Sequence, residues 1–219
     1  MFYDKKPDYY SMTSVLLDLP YLPSVLWFGN FLKHETVWIE HEENFVKSSH
    51  RNRCDIAGAG GKLTLSIPLQ GGRDHHQKYR ETKISYQSNW QSSHWQSIKS
   101  CYGSAPYFEF YCEKFEQFYE KHYDFLFDFN LDLLDASINA LKLKKGFYLT
   151  TNYEKLPADN LDLRTGRVKQ ATIQLPRYYQ VFEDKNGFIP NLSILDVIFN
   201  LGPGAKEYLI RISECGMRN

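Results

Sequence analysis

Two periods alternate along this chain. In "GGKLTLSIPL" (60–69), Leu63, Leu65, Ile67 and Leu69 stand against Lys62, Thr64 and Ser66, the period of a half-buried strand. Upstream, "TVWIE" (36–40) is a compact β-branched and aromatic run of strand type. The polar segment between them, "HEENFVKSSHRNRCDIAGAGG", ends in a glycine-rich turn. Together the three predict a hairpin-like unit whose connection carries the charges. Further short strands are expected around "TKISY" and at "FYLTTNY".

Beyond residue 89 the period becomes helical. Trp90, His94, Ile98, Cys101 and Ala105 form one stripe, and Trp95, Ile98 and Tyr102 a second beside it. Pro106 ends or kinks that helix. Aromatic residues then recur every three or four positions through "YFEFYCEKFEQFYEKHYDFLFDFN". "LDLLDASINALKL" comes next, with Leu131, Leu134, Ile138 and Leu141 on one face. A last helix is expected in "NLSILDVIFNLGPGAKEYLI", with Asn191 or Ser193 as its cap and Gly202-Pro203 as its stop. Strands come first and helices after. That order predicts a single α+β domain over 1–219, strand-rich in its N-terminal third, with helices packed on a mixed sheet.

Composition narrows the function classes. The chain has 219 residues, 42% hydrophobic and 16% aromatic, enough for one core with a lined cleft. Its formal net charge is zero and Lys and Arg form no long tract, which argues against nucleic acid as the partner. The run "SVLLDLPYLPSVLWFGNFL" is interrupted by Asp18, two prolines and a glycine, and a charged segment precedes it. It fits neither a cleavable signal nor a membrane span, so a cytoplasmic location is expected. Cys54, Cys101, Cys112 and Cys215 are scattered without C-x-x-C or zinc spacing. Reduced thiols are expected, with no metal or other cofactor.

Three clusters are candidates for chemistry. His94 lies in line with Trp90 and Ile98, so its ring faces inward. It is either a buried neutral imidazole bonded at both nitrogens or a general base tuned by burial. Cys101, two turns away at about 10 Å of rise, is too distant to be its nucleophile. The second cluster, Glu40 to Arg53, contains "HRNR". On an extended chain Arg51 and Arg53 would share one side, two forks suited to a carboxylate or phosphate, with His50 and Asn52 on the other. The alternative is a salt-bridge network with Glu40 and Glu43. The third is the long loop after residue 155, where Arg164, Arg167, Tyr178, Tyr179 and Gln180 combine charge with hydrogen-bonding aromatics. No P-loop, G-x-S-x-G, H-E-x-x-H or G-x-G-x-x-G occurs, and "GAGGK" is read as a turn.

Four segments in order carry a family likeness: "YLPSVLWFGNFL", "KSSHRNRCDIAGAGGKLTLSIPL", "WQSSHWQSIKSCYGSAPYFEFY" and "YYQVFEDKNGFIPNLSILDVIFNLGPGA". Over nearly its whole length the chain resembles the WbqC-like family, in the form of its Bacteroidetes-type members. It has Asp18-Leu19 where many relatives have Gln-Pro. The resemblance implies a bacterial protein of surface-polysaccharide or O-antigen synthesis. It also implies acyl or aminoacyl transfer to an activated sugar or aminosugar. The family's motif residues fall on Lys47, Arg51, Asn52, Arg53, His94 and Tyr102, then on Tyr178, Gln180 and Asn191.

In the transferase reading, Arg51 and Arg53 hold the anion of a nucleotide- or carrier-activated small molecule. Asn52 orients it, His94 deprotonates the attacking group, and Lys47 or Tyr102 assists. Arg164, Tyr178 and Gln180 complete the binding set. The rival reading is a non-catalytic binding or assembly protein that holds a glycan intermediate or a partner enzyme.

Overall fold

The computed structural model describes residues 14–71, 77–153, 161–164 and 175–214. The apolar run near the start forms strand β1 (Ser14–Leu17) and helix α1 (Val25–Lys33), and β2 (Thr36–Ile39) comes directly after. β1 and β2 pair in parallel, Ser14 opposite Thr36 and Leu17 opposite Ile39, so these three elements form a βαβ unit. Two-residue strands extend it on either side. β5 (Tyr148–Leu149) joins β2 and β6 (Leu161–Asp162) joins β1, giving the all-parallel order β5-β2-β1-β6. β1 is buried along its whole length, as the central strand of a parallel sheet is when both faces are covered.

Antiparallel pairing is confined to a second sheet, β3 (Arg53–Gly58) with β4 (Gly61–Ser66). The hairpin expected between "TVWIE" and "GGKLTLSIPL" is therefore not formed. β4 turns back on β3, and β2 belongs to the parallel sheet. Around "TKISY" there are isolated bridges, Leu69 with Ile84 and Lys83 with Phe125, rather than a strand of a sheet. The α+β class with an early concentration of strands is as expected, with parallel and antiparallel pairing segregated.

The helices obey their periodicity. α2 (Trp90–Tyr102) buries Trp90, His94, Trp95, Ile98, Cys101 and Tyr102 and ends at Gly103. α3 (Phe108–Glu120) and α4 (Leu126–Ala140) bring Phe115, Tyr119 and Phe129 into the same core. A four-residue helix, α5 (Glu183–Asn186), precedes α6 (Ile194–Leu201) and α7 (Ala205–Glu214). α7 lies close on α1 because Gly29 leaves room. A Cβ there would come within 2.8 Å of Ile212 Cγ2. Among the described residues no helix is long and apolar enough to cross a membrane.

The starts of α1 and α6 meet head to head. Val25 N donates to Leu192 O (3.0 Å) and Ile194 N to Pro23 O (2.9 Å). Ser24 and Ser193 each cap their own helix, and Asn191 Oδ1 accepts from Leu26 N (2.9 Å) in the first turn of α1. Ser193 is thus the cap of the last helix pair, and Asn191 serves the other helix. Donors that a helix start leaves orphaned are satisfied across the junction.

Candidate functional site

All four parallel strands deliver a polar residue at or just beyond their carboxyl ends: Asp18, Glu40, Thr150 and Arg164. In open parallel sheets this is where ligand crevices form, but here the groups close on one another. Glu40 Oε2 accepts from Arg164 Nη1 (2.9 Å), and its Oε1 accepts from Thr150 Oγ1 and Glu42 N (2.8 Å each). Asp162 takes Arg164 Nε (2.9 Å) and Nη2 (2.8 Å). Arg51, with no exposed surface, pairs with Glu43, donates to Asn44 O (3.1 Å) and lies 3.8 Å from Asp18. Its guanidinium sits 5.3 Å from the Tyr79 ring centre.

Arg51 and Arg53 therefore do not share a side. Residues 47–52 form turns rather than extended chain, and Ser48 adopts a positive φ of 55°. That reversal sends Arg51 inward and leaves Arg53, the first residue of β3, exposed. Arg51 and Arg164 are the cations of a salt-bridge network. The expected pairing of the Arg51 and Arg53 guanidinium forks on one side is therefore not formed; Arg53 lines a pocket with Lys47 instead.

Those two side chains line a pocket of about 330 Å³, together with Ser48 and Asn52 from the same turn. The end of β4 and the chain just after it, including Ser66 and Gln70, line it as well, as does Gln77. Among the described residues neither Lys47 nor Arg53 has an ion-pair partner, and no carboxylate lines the pocket. The concavity thus gathers two cations with no carboxylate partner among the described residues.

His94 stands behind the Ser66 wall. Its Nδ1 is 3.1 Å from Tyr21 OH, which in turn lies 2.7 Å from Tyr119 OH. The Ser66 backbone is its other hydrogen-bonding neighbour. The ring stacks on Tyr21 and meets the edge of Trp90, and only 6% of the residue is exposed. Burial pushes its pKa down to about 4, so the imidazole is neutral at pH 7. The ring is thus enclosed, neutral and held at Nδ1 by the Tyr21 hydroxyl.

Tyr102, Tyr178 and Gln180 belong to neither group. They surround the carboxyl of Asp196, on α6. Tyr178 OH donates to Oδ2 (2.5 Å), as does Gln180 Nε2 (2.8 Å), and the Tyr102 hydroxyl lies beside the same carboxyl. Tyr102 OH also accepts from Ala57 N (3.2 Å), and Gln180 exchanges hydrogen bonds with the Ile189 backbone. This cluster ties β3, α2 and the segment before α6 together inside the protein. Tyr102 is enclosed and bonded, which gives it a structural place rather than a position against a substrate.

Asp196 is fully buried and has no cation partner among the described residues, so burial raises its pKa despite the three donors. A raised folded-state pKa stabilises the fold fully below the unfolded value, near 3.8. That contribution is lost as pH rises through the folded value. Asp196→Asn removes this loss. The stability of the variant relative to wild type should therefore improve as pH rises above about 4 and level off above the folded-state pKa, as read by urea denaturation. A difference independent of pH would refute the assignment.

A family model for the WbqC-like protein family matches residues 20–175, which takes in α1, β2, the pocket and the helices α2 to α4. The chain belongs to the WbqC-like family. It is also similar to the uncharacterized protein Rv1507c of Mycobacterium tuberculosis, with 26% identity over 199 residues, covering 78% of this chain and 86% of that protein. No solved structure matches it.

Within this WbqC-like chain, the candidate site residues divide three ways. Lys47, Asn52 and Arg53 come together at the pocket, and His94 buttresses its wall. Arg51 and Arg164 hold the ends of the parallel strands. Tyr102, Tyr178 and Gln180 enclose Asp196. Arg167 and Cys215 lie outside the described residues. Sequence reasoning missed Gln70 and Gln77 at the pocket and Asp196 in the core. Asp196 left one signal: it is an acid within the otherwise apolar run "ILDVIF".

Proposed function

We propose that this protein binds an anionic, nucleotide- or carrier-activated sugar or aminosugar in the Lys47–Arg53 pocket. In this reading it is a cytoplasmic transferase that moves an acyl or aminoacyl group in surface-polysaccharide synthesis. The observation that carries the binding half is the pair of cations lining one pocket, neither ion-paired among the described residues. Two such groups give charge-assisted hydrogen bonds to a phosphate or carboxylate. Membership of the WbqC-like family supports the sugar-modifying half through the resemblance already described.

One observation favours the second reading, a binding or assembly protein without catalysis of its own. His94, the candidate base, is enclosed, and its Nδ1 is taken up by the Tyr21 hydroxyl.

The test is calorimetric titration with uridine-diphosphate-linked glucosamine and galactosamine. Lys47→Ala and Arg53→Ala should each lower affinity roughly tenfold or more, the loss of one charge-assisted bond of about 1.5–3 kcal/mol. Unchanged binding in both variants would sink the pocket assignment. His94→Gln keeps an acceptor for Tyr21 but not the basicity. Binding that survives with transfer lost supports the transferase. Cellular function retained in full supports the binding protein.

A further inference from the structure

The amides around the pocket share one orientation. Asn52 Nδ2 donates to Ile67 O (2.9 Å), Gln70 Nε2 to Ile84 O (2.9 Å) and Gln77 Nε2 to Glu81 O (2.5 Å). A carbonyl partner requires the nitrogen end, so each amide is fixed with its NH₂ group turned to the protein. Their oxygens accept no hydrogen bond from the described residues. Each nitrogen keeps one further hydrogen and each oxygen both lone pairs, so the three amides accept more than they donate.

Two cations beside an accepting surface define a ligand. It carries an anion at one end and several O–H or N–H donors on its body. Size sets a further limit. A volume of about 330 Å³ is at the low end of small-molecule clefts, which run to about 1,000 Å³. It has room for one sugar ring with its phosphate, and the base and ribose of a nucleotide lie outside. Among the described lining residues Phe45 alone is aromatic, so no pair of rings is present to sandwich a base.

We infer that the pocket seats the sugar-phosphate end of the substrate. The phosphate meets Lys47 and Arg53, and sugar hydroxyl or amino groups donate to the amide oxygens of Asn52, Gln70 and Gln77. This rests on the proposed binding of an activated sugar and names which part of it the protein reads. A nucleotide handle adds little, and the sugar supplies the selectivity.

The full chain would be titrated with a panel of hexose and hexosamine 1-phosphates of gluco, galacto and manno configuration. Inorganic phosphate and uridine diphosphate serve as the two partial probes. The best sugar phosphate should bind at least tenfold more tightly than either. Gln70→Leu, at an exposed position, should reduce that preference at least threefold, with an unchanged melting temperature as the control for folding. Uridine diphosphate binding as tightly as every sugar phosphate would overturn this inference and leave the anion site standing. Equal affinity for inorganic phosphate would do the same. If no phosphate compound binds, and Lys47→Ala and Arg53→Ala change nothing, the proposed function itself falls.

Discussion

Arg51→Met should destabilise the fold by about 3–5 kcal/mol, the usual cost of removing one partner from a buried ion pair. Arg51 has no exposed surface and reaches Glu43, Asn44 O and the edge of Asp18. Burial already drives the Glu43 carboxyl towards its neutral form, and the guanidinium pulls against that shift. Without Arg51 two carboxyls remain buried with less compensation, so the loss is mostly the penalty on what stays behind. Methionine fills similar volume, which separates charge from packing. Adding Glu43→Gln to Arg51→Met should recover part of the loss, since contacting residues are not additive. Urea denaturation of the two single variants and the double completes the cycle. A loss below about 1 kcal/mol for Arg51→Met would mean that the ion layer is solvated like a surface pair.

Gly202→Ala should be comparably severe for a steric reason. Gly202 ends α6 at φ 52°, ψ −121°, a conformation that side chains rarely adopt. A Cβ there would lie 2.4 Å from Tyr107 Cγ. The ring has little freedom to retreat, because Tyr107 N is bonded to Phe199 O (3.0 Å) on the helix that Gly202 closes. Backbone strain of about 1–3 kcal/mol adds to overpacking of about 1–3 kcal/mol. At roughly 2–4 °C per kcal/mol for a chain of this size, the melting temperature should fall by about 4–24 °C. Gly204→Ala is the matched control. Its Cβ would meet nothing within 4 Å, so its melting temperature should barely move. Equal behaviour of the two variants would refute the steric account.

The helices were legible because their buried faces repeat at helical spacing, as Trp90, His94, Ile98 and Cys101 do on α2. The parallel sheet was not. β1 is buried on both sides, so it carries no alternation, and it merges with α1 into one apolar run. Its neighbours β5 and β6 are two residues long and lie more than a hundred positions downstream of β2 and β1. At the pocket, Lys47, Asn52 and Arg53 were visible as members of a charged segment between two strands, read as extended chain. The inward path of Arg51 was hidden because it depends on the positive φ of Ser48. Gln70 and Gln77 were invisible as partners. They reach the pocket through the pairing of Leu69 with Ile84 and of Asn44 with Lys78, contacts that no local pattern announces.

The junction of the two helix starts bears on how the chain is made. Leu26 draws its side-chain acceptor from Asn191, 165 positions later. During synthesis the opening βαβ unit emerges early, yet its helix waits for the final quarter of the chain before its first turn is complete. Closing so long a loop is costly before its contacts reward it. The βαβ unit therefore stays unfinished until a further 165 residues have been made, and the segment leading into α6 is what completes it.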